Sequence, residues 1–449
     1  MVRLVPEQRL TLQIHHHGAW HDAALLTLYA PEAGLSGASR FVCEIKYWSE
    51  FAAAEAFDVR DRRALSVRAP VNLEIHSAPT WPAFLLDLLA QGNARDRLSA
   101  ELGFSNPDLP EVETPLLMRS AGSPIGNIRV REAWEAEQER LRGQPCAGLA
   151  LKQIEDLTDE FLDVADRFAL VASGSSGVQG EWPKMLMSQS RDGLWYPDPV
   201  IPDGNATDHI IVKRVRRAGD ENENLILGSE GPYLEVARAF GLRVGKPLTT
   251  APKILIIPRF DREVTPTGVV RLGQESIVAA AGIPQFGHRG THEEYLAVIK
   301  RHCADPVSEV IEYVLRDALN LAMGNPDNHG RNTALQKAPD GTIRLAPLFD
   351  FAPMRLNPDP IMRSTRWECL GHADLSPDWR TICRVAAEDI ARPEKLESEL
   401  IARLPLFQGL REIARKRNVP ESVIERALVR CGEIADGIAR LVRGRDGCP

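Results

Sequence analysis

The stretch that most constrains this chain is a long helical pattern that stops abruptly in polar residues. In Pro306–Met323 the apolar residues Val307, Val310, Ile311, Val314, Leu315, Ala318, Leu319 and Ala322 recur on one helical face. That face must be buried, so the residues after it are delivered to the edge of a core. They read Gly324-Asn-Pro-Asp-Asn-His-Gly-Arg-Asn332, then two strand-like runs, Thr333–Gln336 and Thr342–Leu348, around the turn Pro339-Asp340-Gly341. A β-hairpin is predicted here, ending in Leu348-Phe-Asp-Phe351. Asn332 and Asp350 stand nearly symmetrically about its turn. Paired strands lie only ~5 Å apart, so both side chains are expected to reach one cation. An Asn/Asp oxygen pair suits Mg²⁺, which takes few protein ligands and adds phosphate oxygens and water.

Asp327 stands five positions before Asn332. Protein-kinase catalytic loops use the same interval, the Asp accepting the attacking hydroxyl's proton and the Asn holding a metal. The interval alone is common; joined to a hairpin and a second Asp it becomes selective. The plain alternative is a turn-forming helix exit. His329 reads first as a structural residue bonded to the loop backbone, and second as a neighbour of the nucleotide.

The remaining kinase parts are sought upstream. Lys213 ends the apolar run His209-Ile-Ile-Val-Lys213 and is a candidate point charge for α/β-phosphates, or else a solvated strand end. The loop Ser173–Lys184 carries Gly174, Gly177 and Gly180, whose amides suit phosphate, without the G-K-[ST] of a Walker A loop. Ile257–Phe260, following the buried run Ile254–Ile257, is the expected connector beside an adenine ring.

The order of elements indicates fold class. Residues 1–125 mix strand-like runs (Leu10, Leu12 and Ile14; Val71, Leu73 and Ile75) with a helix over Trp81–Leu89 and a Pro/Ser/Gly-rich boundary at 105–128. Residues 126–265 open with helices near 130–142 and 152–169, turn strand-rich, and include a helix over Tyr233–Phe240 stopped by Gly241. Residues 266–449 are mostly helical, and the tail repeats apolar spacing from Ile424 to Ile438. Segregated α+β lobes are therefore expected, not a doubly wound sheet.

Composition agrees. The 449 residues have room for about three domains. A net charge of −8 argues against coating nucleic acid or an anionic membrane by bulk charge. No window approaches the ~18 apolar residues of a spanning helix, and the N-terminus lacks a signal-peptide pattern. The seven cysteines are scattered without a C-x-x-C pair, which points to the reducing cytoplasm. His15-His16-His17 alternate faces in a strand and read as a non-functional run. Arg411, Arg415, Lys416 and Arg417 read as a solvated helix face, with DNA contact beside a partner as the second reading.

Together these pieces resemble the HipA-type serine/threonine kinases, the toxin half of bacterial toxin–antitoxin pairs. The resemblance rests on Ser175-Ser-Gly-Val-Gln179 with Pro183-Lys184, Ile210-Ile-Val-Lys213, Ala237-Arg-Ala-Phe-Gly-Leu242, Arg259-Phe-Asp-Arg262, Arg271-Leu-Gly-Gln-Glu275, Gly324–Asn332 and Arg344-Leu-Ala-Pro-Leu-Phe-Asp350. These span about 170–352, and Pro82–Gly103 resembles the family's N-terminal region. The resemblance implies a bilobal kinase-like fold preceded by a small docking domain. It implies ATP and Mg²⁺ as cofactors, Asp327 as catalytic base, Asn332 and Asp350 as metal ligands, and Lys213 as the phosphate lysine. Ser176, Gly177, Val178 and Gln179 would line the nucleotide, with Ile257 and Phe260 in the hinge. It further implies transfer to a protein serine, an aminoacyl-tRNA synthetase being one type of target, and autophosphorylation at Ser173, Ser175 or Ser176. The implied partner is a small helix-turn-helix, HipB-like antitoxin, through which alone DNA is reached.

Two departures stand out. Where the family's helix starts Asn-Glu-Tyr, this chain reads Ser229-Glu-Gly-Pro-Tyr233, leaving Glu230 as candidate partner of Lys213 and Glu235 as its rival. The glycine loop also carries Gly180, Glu181 and Trp182 before Pro183. Two other functions compete: a non-enzymatic co-repressor bound to a DNA-binding antitoxin, and, more remotely, a metal-dependent phosphohydrolase, for which no D-x-H ligand set stands upstream.

Overall fold

Leu10, Leu12 and Ile14 alternate because they line the inner face of β1 (Glu7–His16), where all three are buried. In the computed structural model, which describes residues 7–43, 60–61, 63–72, 74–172, 182–217, 219–373 and 376–443, the chain forms two units. The first takes Met1–Arg214, Ile256–Phe286 and Leu335–Ile343; the second takes Val215–Leu255, Gly287–Ala334 and Arg344–Pro449. The protein is α+β. Among the described residues no helix is long and apolar enough to cross a membrane.

In the first unit, β1 pairs antiparallel with β2 (Ala19–Tyr29), and β3 (Ser39–Cys43), β4 (Ile75–Ala78) and β5 (Ile128–Val130) complete a sheet in the order β4-β3-β2-β1-β5. The strand expected at Val71–Ile75 starts only at Ile75. Asn72 Oδ1 accepts from Glu74 N at 3.1 Å, an Asx turn that competes with extended pairing. Leu73 lies outside the described residues. Trp81–Leu89 holds a 3₁₀ helix over Ala83–Leu88 rather than an α-helix, and its tighter turn brings Leu85 and Leu88 into line. The stretch 105–128 contains a seated helix, Glu113–Ser120, whose Glu113 carboxylate accepts from Leu35 N at 2.5 Å. Residues 152–169 fall into two helices, Leu151–Glu155 and Asp159–Ala172, because Leu157 adopts φ +51° between them.

A second set of strands follows in the same unit: β6 (Lys184–Ser190), β7 (Trp195–Pro197) and β8 (Ala206–Arg214), with β6 between the other two. The motif Arg259-Phe-Asp-Arg262 is a buried charge cluster. Asp198 accepts from both Arg262 Nη atoms at 2.7 and 2.6 Å, and Asp261 accepts from Arg259 and from Gly126 N. Burial alone would raise both carboxyls, but the guanidiniums hold Asp261 down to about 2 and Asp198 well below its usual range. His15 belongs to a second cluster. Burial, aided by Arg271, pushes its pKa down to about 4 beside Asp203, while Arg129 lies between the Trp20 and Trp134 rings.

The second unit is helical. The helix expected over Tyr233–Phe240 runs over Glu221–Ala239 (α1), since Asp220 caps it by accepting from Glu223 N at 3.0 Å. Pro232 lies inside it and donates no hydrogen bond to the carbonyl of Gly228, four residues earlier. α2 (His292–His302) and α3 (Pro306–Met323) follow. α3 keeps its predicted bounds, with Asp305 as N-cap and Gly324 closing it at φ 70°, ψ 40°. It differs in being buried all round from Tyr313 to Leu319, Arg316 and Asp317 included. The tail divides into Glu421–Ala427 and Cys431–Arg443 around a 3₁₀ turn. Its basic group is largely engaged: Arg415 pairs with Glu421 at 2.8 Å, Lys416 lies 3.7 Å from Glu412, and Arg411 donates to Leu428 O.

Candidate active site

The site begins where α3 ends. Its last carbonyls need acceptors' partners outside the helix, and two are supplied: Tyr233 Oη donates to Met323 O at 3.0 Å, and Asn325 N to Asn320 O at 2.9 Å. Gly324 is required twice over, by its left-handed φ and by Ala427, whose Cα would lie 3.2 Å from an added Cβ. The chain then folds into a tight loop. Asn325 Oδ1 accepts from Asp327 N at 3.3 Å, Asn332 N donates to His329 O at 2.8 Å, and Asn332 Nδ2 donates to Asp327 O at 3.0 Å. The last bond spends the amide nitrogen of Asn332 and leaves its Oδ1 as the acceptor for an incoming group.

The predicted hairpin forms, with strands Ala334–Lys337 and Ile343–Leu345 and the bonds Ala338 N to Thr342 O (2.9 Å) and Ala346 N to Ala334 O (2.8 Å). α3 holds its exit: Glu309 accepts from Leu345 N at 2.9 Å and Arg316 donates to Ala346 O at 2.9 Å. Four residues later Asp350 takes φ +48°, a left-handed conformation rare for a residue with a side chain. Phe351 is buried and rests on Tyr233, the ring centroids 5.4 Å apart. Asp327, Asn332 and Asp350 thereby line one recess of about 440 Å³, open to solvent. Its oxygen donors are of the type Mg²⁺ takes, and two protein ligands leave positions for phosphate oxygens and water.

His329 stands beside the loop, its Nε2 3.5 Å from Asp327 Oδ1. Glu230 lies mid-helix in α1 and is 2% exposed, whereas the shorter predicted helix would leave it ahead of the helix start. Its rival Glu235 is engaged by Arg238 at 3.2 Å. In the first unit Lys213, near the end of β8, is buried, with Nζ 5.7 Å from the centre of the Trp182 ring. Ile257 and Phe260 are half-buried, and Phe260 O accepts from Gln336 Nε2 at 3.0 Å. Ser173, Ser175, Ser176, Gly177, Val178 and Gln179 lie outside the described residues.

Sequence reasoning missed the part of the recess wall that Asp317 and His292 supply. Asp317, buried on α3, accepts from Arg363 Nη2 at 2.7 Å and from Trp367 Nε1 at 2.9 Å. Burial would raise this carboxyl; Arg363, then His292 and the Trp367 indole, hold it below the usual range. Asp317 stands off the apolar stripe of α3, so its burial left no signal in the local pattern.

The sequence profile of the HipA-like C-terminal domain matches residues 176–405, half of the chain. The chain belongs to the HipA-like family. Among its relatives is a protein provisionally named kinase Y4mE, from Sinorhizobium fredii. It is 26% identical over 357 residues, covering 75% of this chain and 80% of Y4mE. This HipA-like chain also has the fold of a chain in the Shewanella oneidensis MR-1 toxin–antitoxin complex of HipA, HipB and operator DNA. That likeness has a TM-score of 0.62 at 16% identity and covers 98% of this chain and all of the other. The recess described above falls wholly within the family-matched residues.

Proposed function

We propose that the chain is an ATP- and Mg²⁺-dependent protein serine/threonine kinase acting as the toxin of a HipA-like toxin–antitoxin pair. The observation that carries the reading is the gathering of Asp327, Asn332 and Asp350 on one recess. In this reading Asn332 Oδ1 and the Asp350 carboxylate hold Mg²⁺, which screens the phosphate charge. Asp327 orients the acceptor serine and takes its hydroxyl proton as Oγ bonds to the γ-phosphorus. The bond from that phosphorus to the β,γ-bridging oxygen breaks, and ADP leaves with the electron pair. Lys213 is assigned to the α/β-phosphates, with Glu230 as its candidate partner and His329 beside the nucleotide. Ile257 and Phe260 are assigned to the adenine, and the Ser173–Gln179 loop to phosphate contact and autophosphorylation.

Residues 1–125 are assigned to docking a small DNA-binding antitoxin, 126–265 to the nucleotide lobe and 266–449 to the catalytic lobe, in a cytoplasmic protein. The HipA–HipB–DNA assembly of the Shewanella relative supports that partner, and the acidic balance of this chain suits DNA contact through it.

Incubation with γ-labelled ATP, Mg²⁺ and cell lysate tests the reading. Wild type is expected to label itself or a lysate protein on serine, and Asp327→Ala and Asp350→Ala to lose labelling by at least ~100-fold. Unlabelled protein that also binds no nucleotide would refute the kinase. Growth arrest surviving Asp327→Ala would favour toxicity without phosphoryl transfer.

A further inference from the structure

The segment Met362–Trp367 bends at Ser364 and bridges Thr291 through Arg366, and its exposure alternates. Arg363, Thr365 and Trp367 are buried, while Met362 (70% exposed), Ser364 and Arg366 face outward. Each inward side chain is committed. Asp317 takes Arg363 and Trp367, and His292 stacks on Trp367 with ring centroids 4.5 Å apart. Thr365 Oγ1 donates to Asn328 O at 2.7 Å. The backbone is held as well: His292 N donates to Arg366 O and Arg366 N to Gly290 O.

The remaining grip comes from a single side chain next to Asp327. Asn328 Oδ1 accepts from Ser364 N at 3.0 Å and from Thr365 N at 3.2 Å, and its Nδ2 donates to Thr365 O at 2.8 Å. An amide carries an acceptor atom and a donor atom side by side at its tip, so it can serve both polarities of a peptide at once. Asn332 Nδ2 in turn donates to Asp327 O. Hydrogen bonds thus run from Asn332 to the Asp327 peptide and, one residue on, through Asn328 to this segment.

We propose that Asn328 is a positioning residue: it locks Met362–Trp367 to the loop of Asp327, so that this segment sets the acceptor side of the site. The inference rests on the kinase reading above. It assigns Asn328 to acceptor geometry, expressed in kcat, and not to nucleotide affinity. A residue that ties the base's neighbouring peptide to this segment through four hydrogen bonds, three from its side chain and one to its backbone carbonyl, controls a position for which a ~1 Å error costs up to ~100-fold in rate.

The test uses the full chain, with steady-state transfer from labelled ATP, nucleotide Kd, hydrogen exchange and Tm for wild type, Asn328→Leu and Asn328→Asp. Asn328→Leu keeps similar bulk and loses all three side-chain bonds; kcat is expected to fall by at least ~10-fold with nucleotide Kd within twofold of wild type. The Ser364 and Thr365 amides should lose protection. Asn328→Asp keeps both acceptor bonds but turns a carboxylate oxygen on Thr365 O, so it should restore part, and not all, of the lost kcat and protection. Transfer by Asn328→Leu at the wild-type rate, loss of kcat and nucleotide affinity together, or no rescue by Asp would each overturn the assignment. Thr365→Val, which removes one bond only, supplies a milder variant should Asn328→Leu not fold, and an unchanged kcat there would count against the clasp. Wild type that transfers no phosphate overturns the kinase reading instead, and this inference with it.

Discussion

Gly330 sits in the loop that joins α3 to the hairpin, and its lack of a side chain has a measurable reason. A Cβ at this position would lie 2.6 Å from Cζ of Tyr295 and nearer still to Oη. Ordinary contact begins at 3.4 Å, so ring or loop must yield by at least about 0.8 Å to clear Cζ, and by more to clear Oη. Tyr295 is 1% exposed on α2 and has little room to retreat. The backbone φ is not left-handed here, so Gly330→Ala isolates the steric term. Overpacking of this size costs about 1–3 kcal/mol, and moving the loop shifts Asp327 and Asn332, for which ~10- to 100-fold in kcat is the expected loss. Differential scanning calorimetry and labelled-ATP transfer measure the two effects. Tyr295→Phe removes the nearest atom but not Cζ, so the double variant should recover part of the stability and not all of it. Gly330→Ala with wild-type transfer and unchanged Tm would show that the ring does not shape the loop.

Three further outcomes follow from buried charges. Glu137 is buried, and burial, opposed by the Ser123 hydroxyl at 2.5 Å, pushes its pKa from 4.5 up to about 7. A carboxyl raised on folding contributes its stability below about pH 4.5 and loses it as pH rises through 7. Glu137→Gln should therefore be more stable than wild type at pH 8, by on the order of 2 kcal/mol, and not at pH 4.5; urea unfolding at both pH values checks this, and an equal difference at both would reject it. Glu223, fully buried, accepts from Arg216 N and Arg217 N at 2.9 Å each and from Arg216 Nε at 3.0 Å. Glu223→Ala should cost about 3 kcal/mol in the same assay, and Glu223→Gln roughly half as much. Lys213→Met should weaken nucleotide binding at least ~10-fold by calorimetry; retained affinity would remove Lys213 from the phosphate role.

Several site features were legible because they are local. The loop from Gly324 to Asn332 follows a capped helix, and the hairpin turns at Pro339-Asp340-Gly341, so spacing alone brought Asn332 and Asp350 to one end. Helix bounds were legible where caps were clear, as for α3 between Asp305 and Gly324. They failed for α1, which was expected to start at Tyr233 and starts twelve residues earlier behind the Asp220 cap, with Pro232 in its interior. Periodicity also failed at Val71–Ile75, where an Asx turn outcompeted it.

The sequence by itself determined an α+β chain, the family resemblance and the residue types that meet at the recess, because those depend on neighbours within a turn or a hairpin. Only tertiary structure decided that α3 buries Arg316 and Asp317, that Tyr295 fills the space of a Gly330 side chain, and that Asn328 grips a segment 36 and 37 residues further on. Each of these is a contact between residues distant in the chain. Their partners are chosen by packing and by the need to satisfy buried polar groups, which no local spacing records.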